Sequence, residues 1–209
     1  MTTNRPKNRR EQILLEATKL FAAKGFQGTP IRGIAHCCGI SEAAIYRHFD
    51  SKVALYEDVI RRKAAQHDIV GYFEGADNDG DIEEILTGMA SHILGFLEKD
   101  PELLGLMFNN TVESGPVSAV LFREVRLPYI NYLAGQLEQR MTAGEVREVE
   151  PYITARCFTG MVMDCALSVG VWNKISKLNF VANDVICNNV PIFARGLMTE
   201  EALRGAVIS

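Results

Sequence analysis

Apolar residues along this chain recur at helical spacing almost throughout. Ile13, Leu14, Ala17, Leu20 and Phe21 follow the 3.6-residue period and predict a helix that closes near Lys24 and Gly25. Ile31, Ile34, Ala35 and Cys38 then mark one face of a short helix, with Thr29 as the expected N-cap and Pro30 at the first helical position. Gly39 can take the left-handed conformation that stops it, Ile40 can fill the angle, and Ser41 can cap a further helix that carries Ile45 and Phe49 inward. This is helix-turn-helix spacing. Burying those faces leaves Glu42, Ala43, Tyr46, Arg47 and His48 pointing outward, on a helix that could enter a DNA major groove.

Beyond it, Ser51 is placed to cap a long segment in which Val53, Leu55, Tyr56, Val59 and Ile60 lie among charges, running towards Phe73 before a Gly75–Asp81 connector. Asp77, Asp79 and Asp81 suggest a calcium loop, but the glycine comes too early and no Glu stands at the twelfth position, so no metal is expected. Helices are predicted over 82–99, 101–111, 116–141, 151–173 and 178–198, with Pro101, Pro116 and Pro151 at helix starts. Pro128 and Pro191 lie within apolar helical patterns and should kink them. No strand-period run or internal repeat appears, so the expected fold is all-α: a small helix-turn-helix domain over 1–50 and a larger helical domain over 51–209.

Charge sharpens this division. The net formal charge of −4 splits into +6 for residues 1–63 and −10 for 64–209, so a basic face is available for phosphates although the whole chain is acidic. Five cysteines without a CxxC pair sit mostly in apolar helical patterns, as expected of reduced thiols filling core space; Cys157 and Cys165 could share a helix face, which keeps a redox role open. No signal-peptide pattern and no uncharged stretch long enough to span a bilayer is found, and a soluble, cytoplasmic protein without membrane contact is expected.

From Phe21 onward the motifs FAAKGF, TPIRGIA, CGIS, IYRHF and SK resemble those of the tetracycline-repressor-like (TetR) family of bacterial transcriptional regulators. About a quarter of the chain carries these motifs; helix number and length are similar over the remainder. The resemblance implies three helices that bind DNA, a fourth that links them to a ligand-binding body, and two last long helices that pair as a four-helix bundle in a homodimer. It also implies a repressor released from operator DNA by a small-molecule inducer, with no cofactor and no catalytic residues.

Within that scheme Tyr46, His48 and Lys52 match phosphate-contacting positions, and a phenol, an imidazole and an ammonium can all donate to phosphate oxygens. Tyr46 can equally seal the helix pair as a half-buried ring. Thr29 can add its hydroxyl or a helix N-terminus to the same strand. Base reading falls to Arg32, Glu42, Ala43, Ala44 and Arg47. Arg47 is favoured because its fork fits guanine, a further phosphate contact being the alternative. Glu42 at a first turn more simply complements the helix dipole, and the two alanines offer only methyl groups. The basic arm before Arg10 can add minor-groove contacts.

For a ligand, the Met- and aromatic-rich later helices suggest Phe96, Met107, Phe108, Phe122, Tyr129 and Met161, any of which can instead be plain core. Asp164, in an apolar run, would need a partner if it faced inward: a structural pair, a dimer contact or a ligand group. His92, Asn109 and Asn110 are secondary candidates. The dimer face is expected on the Tyr152–Trp172 and Leu178–Leu197 helices, with Gly160, Ala166 and Gly170 allowing close approach. An enzyme is disfavoured, since no phosphate-cradling loop, nucleophile elbow or zinc spacing occurs. Activation in place of repression, and a helical adaptor for protein contacts, stay as alternatives.

Overall fold

The computed structural model describes residues 8–69, 71–75, 80–110, 115–173 and 181–206. They form α-helices with no β-strand among them, apart from one isolated antiparallel bridge between Val146 and Met198. The chain divides into two compact units, Met1–Asp68 with Pro101–Val125, and Ile69–Asp100 with Arg126–Ser209. This packing division differs from a cut after residue 50, because the fourth helix and one later helix pack on the first, and another later helix packs on the fourth.

In the first unit, α1 (Arg9–Lys24) starts on Asn8, whose side chain accepts from the Glu11 amide at 2.9 Å. Ile13, Ala17 and Phe21 on its inner face are fully buried. The second helix, α2 (Ile31–Cys38), is preceded at the cap position by Pro30, with no side-chain cap, one residue later than the pattern suggested. Gly39 ends it at φ 64°, and the Ile40 amide donates to the Ala35 carbonyl at 3.0 Å, closing the left-handed C-terminal turn. Ser41 and Ser51 cap α3 (Glu42–Tyr46) and α4 (Lys52–Gln66), their hydroxyl oxygens accepting from the amides of Ala44 and Ala54. Leu55, Tyr56, Val59 and Ile60 of α4 are wholly buried.

The expected run of α4 to Phe73 does not occur: the helix ends at Gln66 with His67 as its C-cap, and Asp68 takes the left-handed conformation at φ 49°. A separate short helix, α5 (Gly71–Gly75), follows in the second unit. Also in the first unit, α7 (Pro101–Asn110) packs on α1 so closely that a Cβ on Gly105 would meet the Ala22 carbonyl oxygen at 2.7 Å. The Lys63 ammonium, itself buried, meets Glu102 at 2.8 Å, and α8 (Pro116–Leu121) buries Val117 and Val120.

The second unit is built from α6 (Ile82–Lys99), α9 (Leu127–Thr142), α10 (Pro151–Leu167) and α11 (Ala182–Leu197), followed by a short α12 (Glu200–Ala206). Asp81 and Glu84 form a reciprocal capping box on α6, so Asp81 has a structural task; Asp77 and Asp79 lie outside the described residues. Arg140, 6% exposed, pairs with Glu145 and donates to Gln136 and to the Gly80 carbonyl. Glu145 in turn accepts from the Ile82 amide at 2.7 Å, so the buried cation is contacted from three sides and its ion-pair partner is itself held in place.

Of the two interior prolines, Pro128 does not act alone. Pro128 falls in the first turn of α9 just after a π-helical turn, Phe122–Arg126: it has no amide proton for the Glu124 carbonyl, and the chain widens there. Pro191 stays inside α11. The predicted 151–173 helix likewise changes to a π-helical turn at Ser168–Trp172.

Candidate nucleic-acid interface

The α2–turn–α3 pair is held from below by Ile34 and Ile45, both fully buried, with Phe49 4% exposed. With that face committed, α3 turns Glu42, Ala43 and Tyr46 to solvent, Tyr46 at 48% exposure, and Ala44 is half-buried. Arg47 stands at the C-cap of α3 and His48 directly after it, both exposed, while Arg32 projects from α2. Tyr46 is thus about half covered and half open to solvent, which fits either role named for it. Lys52, the first residue of α4, is half-buried, with its ammonium 4.2 Å from the centroid of the Phe26 ring.

Thr29 departs from its expected role as a phosphate donor. Its side chain is 1% exposed, and the hydroxyl points back to the carbonyls of Gly25 at 2.8 Å and Leu20 at 3.1 Å. Burial against the end of α1 makes it a tie between two helices, with no hydroxyl left on the surface.

Two features were not read from the pattern. Arg10 bridges Asp58 at 2.5 Å and lies over the Phe49 ring at 4.9 Å, tying the start of α1 to α4 and to the end of the helix-turn-helix. Phe26 stacks with Phe21 and meets Tyr56 edge-on, with centroids 5.8 and 5.5 Å apart. Sequence separation hid both, although Phe26 stands within the FAAKGF motif.

The suggested ligand residues fall in both units. Met107, Phe108 and Phe122 belong to the first, where Met107 is buried and Phe108 is 47% exposed. His92, Phe96, Tyr129, Met161 and Asp164 belong to the second. Of these, His92, Phe96 and Tyr129 cluster: the Tyr129 hydroxyl and His92 Nδ1 are 2.8 Å apart, and the His92 ring lies flat on Tyr72 at 4.1 Å. Burial, then the neighbouring Tyr72, pushes the Tyr129 phenol far above its ordinary range. Met161 is half-buried on α10. Asp164 faces outward and is exposed on the single chain, so it is not buried within its own subunit and needs no partner there. Asn109 donates to the Ala22 carbonyl at 2.6 Å, a structural use, and the Asn110 and Trp172 side chains lie outside what is described.

The cysteines also differ from expectation. All five are free; Cys38 alone is buried, Cys165 is half-buried, and Cys37, Cys157 and Cys187 are exposed. Burial pushes the Cys165 thiol up. No group of three or more His, Cys, Asp or Glu side chains that could hold a metal occurs among the described residues, and no described helix is long and apolar enough to cross a membrane.

A trihelical headpiece whose third helix is exposed, with Arg47 and His48 at its C-terminal end, defines a helix-turn-helix protein. Residues 13–59 match the family described as bacterial regulatory proteins, tetR family. The chain is 31% identical over 144 residues to the nucleoid occlusion factor SlmA of Photobacterium profundum, a match covering 68% of each protein. With the transcriptional repressor KstR2 of Mycolicibacterium smegmatis it shares 38% identity over 60 residues, 29% of each chain. Among solved structures, AibR in complex with isovaleryl coenzyme A and operator DNA superposes with a TM-score of 0.67 at 20% identity, covering 88% of this chain and 97% of that one. The chain belongs to the tetR family. Against the first of its curated relatives it spans less than half of their length, between 29% and 49%.

Proposed function

We propose that this protein is a homodimeric, ligand-responsive DNA-binding transcriptional regulator, acting as a repressor released from a palindromic operator by a small-molecule inducer. The observation that carries the reading is the division of α3, with Ile45 at zero exposure and Tyr46, Arg47 and His48 at the surface beside it. Tyr46, His48 and Lys52 are assigned to phosphates, Arg47 and Arg32 to base edges, and Glu42 to the helix dipole. One such headpiece makes few contacts, so selectivity calls for two, about 34–36 Å apart on successive major grooves.

A second copy is supported by the face of α10 and α11, where Ile153 and Ile192 are 65% and 68% exposed beside a groove of ≈ 340 Å³. For inducer action, a ligand must bind better to the form that cannot span the operator, and operator DNA must then weaken ligand binding by the same factor. Footprinting on DNA flanking its own gene tests the reading: two symmetric half-sites are expected, and protection of one asymmetric half-site by a monomer would refute it. Isovaleryl coenzyme A is a first compound to add, and an operator affinity that it leaves unchanged removes it as an inducer.

A second reading, nucleoid occlusion, is favoured by coverage, since the match to SlmA extends over more than twice as much of the chain as the match to KstR2. Genome-wide binding separates the two. A few sites beside genes support the regulator, whereas many dispersed sites with unchanged transcription support occlusion. Activation in place of repression would show as loss of transcripts in a deletion strain.

A further inference from the structure

We infer that Phe26 is a positioning residue for DNA binding, holding the Lys52 ammonium at the place where it meets a phosphate; this rests on the DNA-binding reading above. A lysine at the first position of a helix is locally disfavoured, because the exposed amides there already present positive charge. Lys52 occupies that position in α4, directly after the Ser51 cap. Its Nζ stands 4.2 Å above the centre of the Phe26 ring, on the negative face of the π system.

The ring itself cannot swing. It is 8% exposed, stacked on Phe21 at 5.8 Å and 18°, and met edge-on by Tyr56 at 5.5 Å and 83°. Phe21 and Tyr56 also meet each other edge-on at 5.3 Å, so three rings from α1, the following loop and α4 form one rigid support. A lysine free in solution must surrender side-chain entropy when it engages a phosphate. Here the face of a fixed ring narrows its range beforehand while an ammonium, with three donors, can still reach an anion. Phe26 touches no DNA in this scheme and acts through Lys52.

The test uses the full-length protein and a 30-bp duplex of random sequence, followed by fluorescence anisotropy between 50 and 200 mM KCl. Lys52→Ala should flatten the salt slope by about one per headpiece. Phe26→Leu keeps every charge and should weaken binding about two- to fivefold per headpiece, while Phe26→Tyr restores it. The decisive arm is the double variant: Phe26→Leu should cost nothing further once Lys52 is alanine. An equal loss in both backgrounds would make Phe26 a purely structural residue and overturn the assignment. Independently, the Lys52 Hε protons should resonate upfield in the wild type and return towards ordinary values in Phe26→Leu; no upfield shift would overturn the geometry. If the wild type binds no duplex at all while the upfield shift is present, the DNA-binding reading fails, and the positioning role with it.

Discussion

Replacing Thr29 by valine separates a structural hydroxyl from a phosphate-binding one. Valine keeps the shape and removes one O–H, which in the native protein donates to Gly25 at 2.8 Å and is shared with Leu20 at 3.1 Å. A single proton cannot serve both acceptors fully, so the loss is one good hydrogen bond plus a partly desolvated carbonyl. At 1% exposure no water replaces it, and the expected cost is about 1–2 kcal/mol. With a urea dependence of about 2 kcal/mol per molar, the unfolding midpoint should fall by about 0.5–1 M, measured at fixed protein concentration because a dimer's midpoint depends on it. The salt slope of duplex binding should stay as in the wild type. An unchanged midpoint together with a flatter salt slope would refute the reasoning and return the hydroxyl to the DNA surface.

Ser51→Ala removes the oxygen that accepts from the Ala54 amide at 3.0 Å and should destabilise the protein by about 1 kcal/mol in urea unfolding. Arg47→Ala should relax preference at one base step of the operator; equal losses on operator and random duplex would rule out base reading by that residue. Ile192→Glu places a charge on a 68% exposed apolar position in each protomer and should raise the dimer dissociation constant about 100-fold or more, read by sedimentation. Tyr129 is held neutral by burial, so its folded pKa lies above the unfolded value near 10. Its stabilisation is complete below that value and is lost as pH rises further, because only the unfolded chain then ionises. Melting temperatures from pH 8 to 11 should fall at the alkaline end, less steeply in Tyr129→Phe.

The headpiece was legible because its signals are local. Gly39 stops α2 with the αL conformation expected of it, Ser41 and Ser51 cap as read, and the alternation of Ile45 and Phe49 with Tyr46 to His48 determines which side faces out. The later helices were legible in place, although α5 and α12 were not read and the expected 116–141 helix divides into α8 and α9 about a π-helical turn. What failed depended on neighbours distant in sequence. Thr29 looked like a cap, but the end of α1 draws its hydroxyl inward. Asp164, Cys157 and Cys187 lie in apolar runs because α10 and α11 carry apolar side chains on their outer faces as well, and one chain's periodicity does not distinguish a core from a face awaiting a partner.

Local spacing therefore determined the all-helical class, the helix-turn-helix and the side of it offered to DNA, since backbone capping and a 3.6-residue period need only residues within a few positions. Tertiary packing alone decided that α7 and α8 belong with the headpiece and that Phe26 lies under Lys52. Those outcomes depend on which surfaces meet across tens of residues, and no short window of sequence contains both partners.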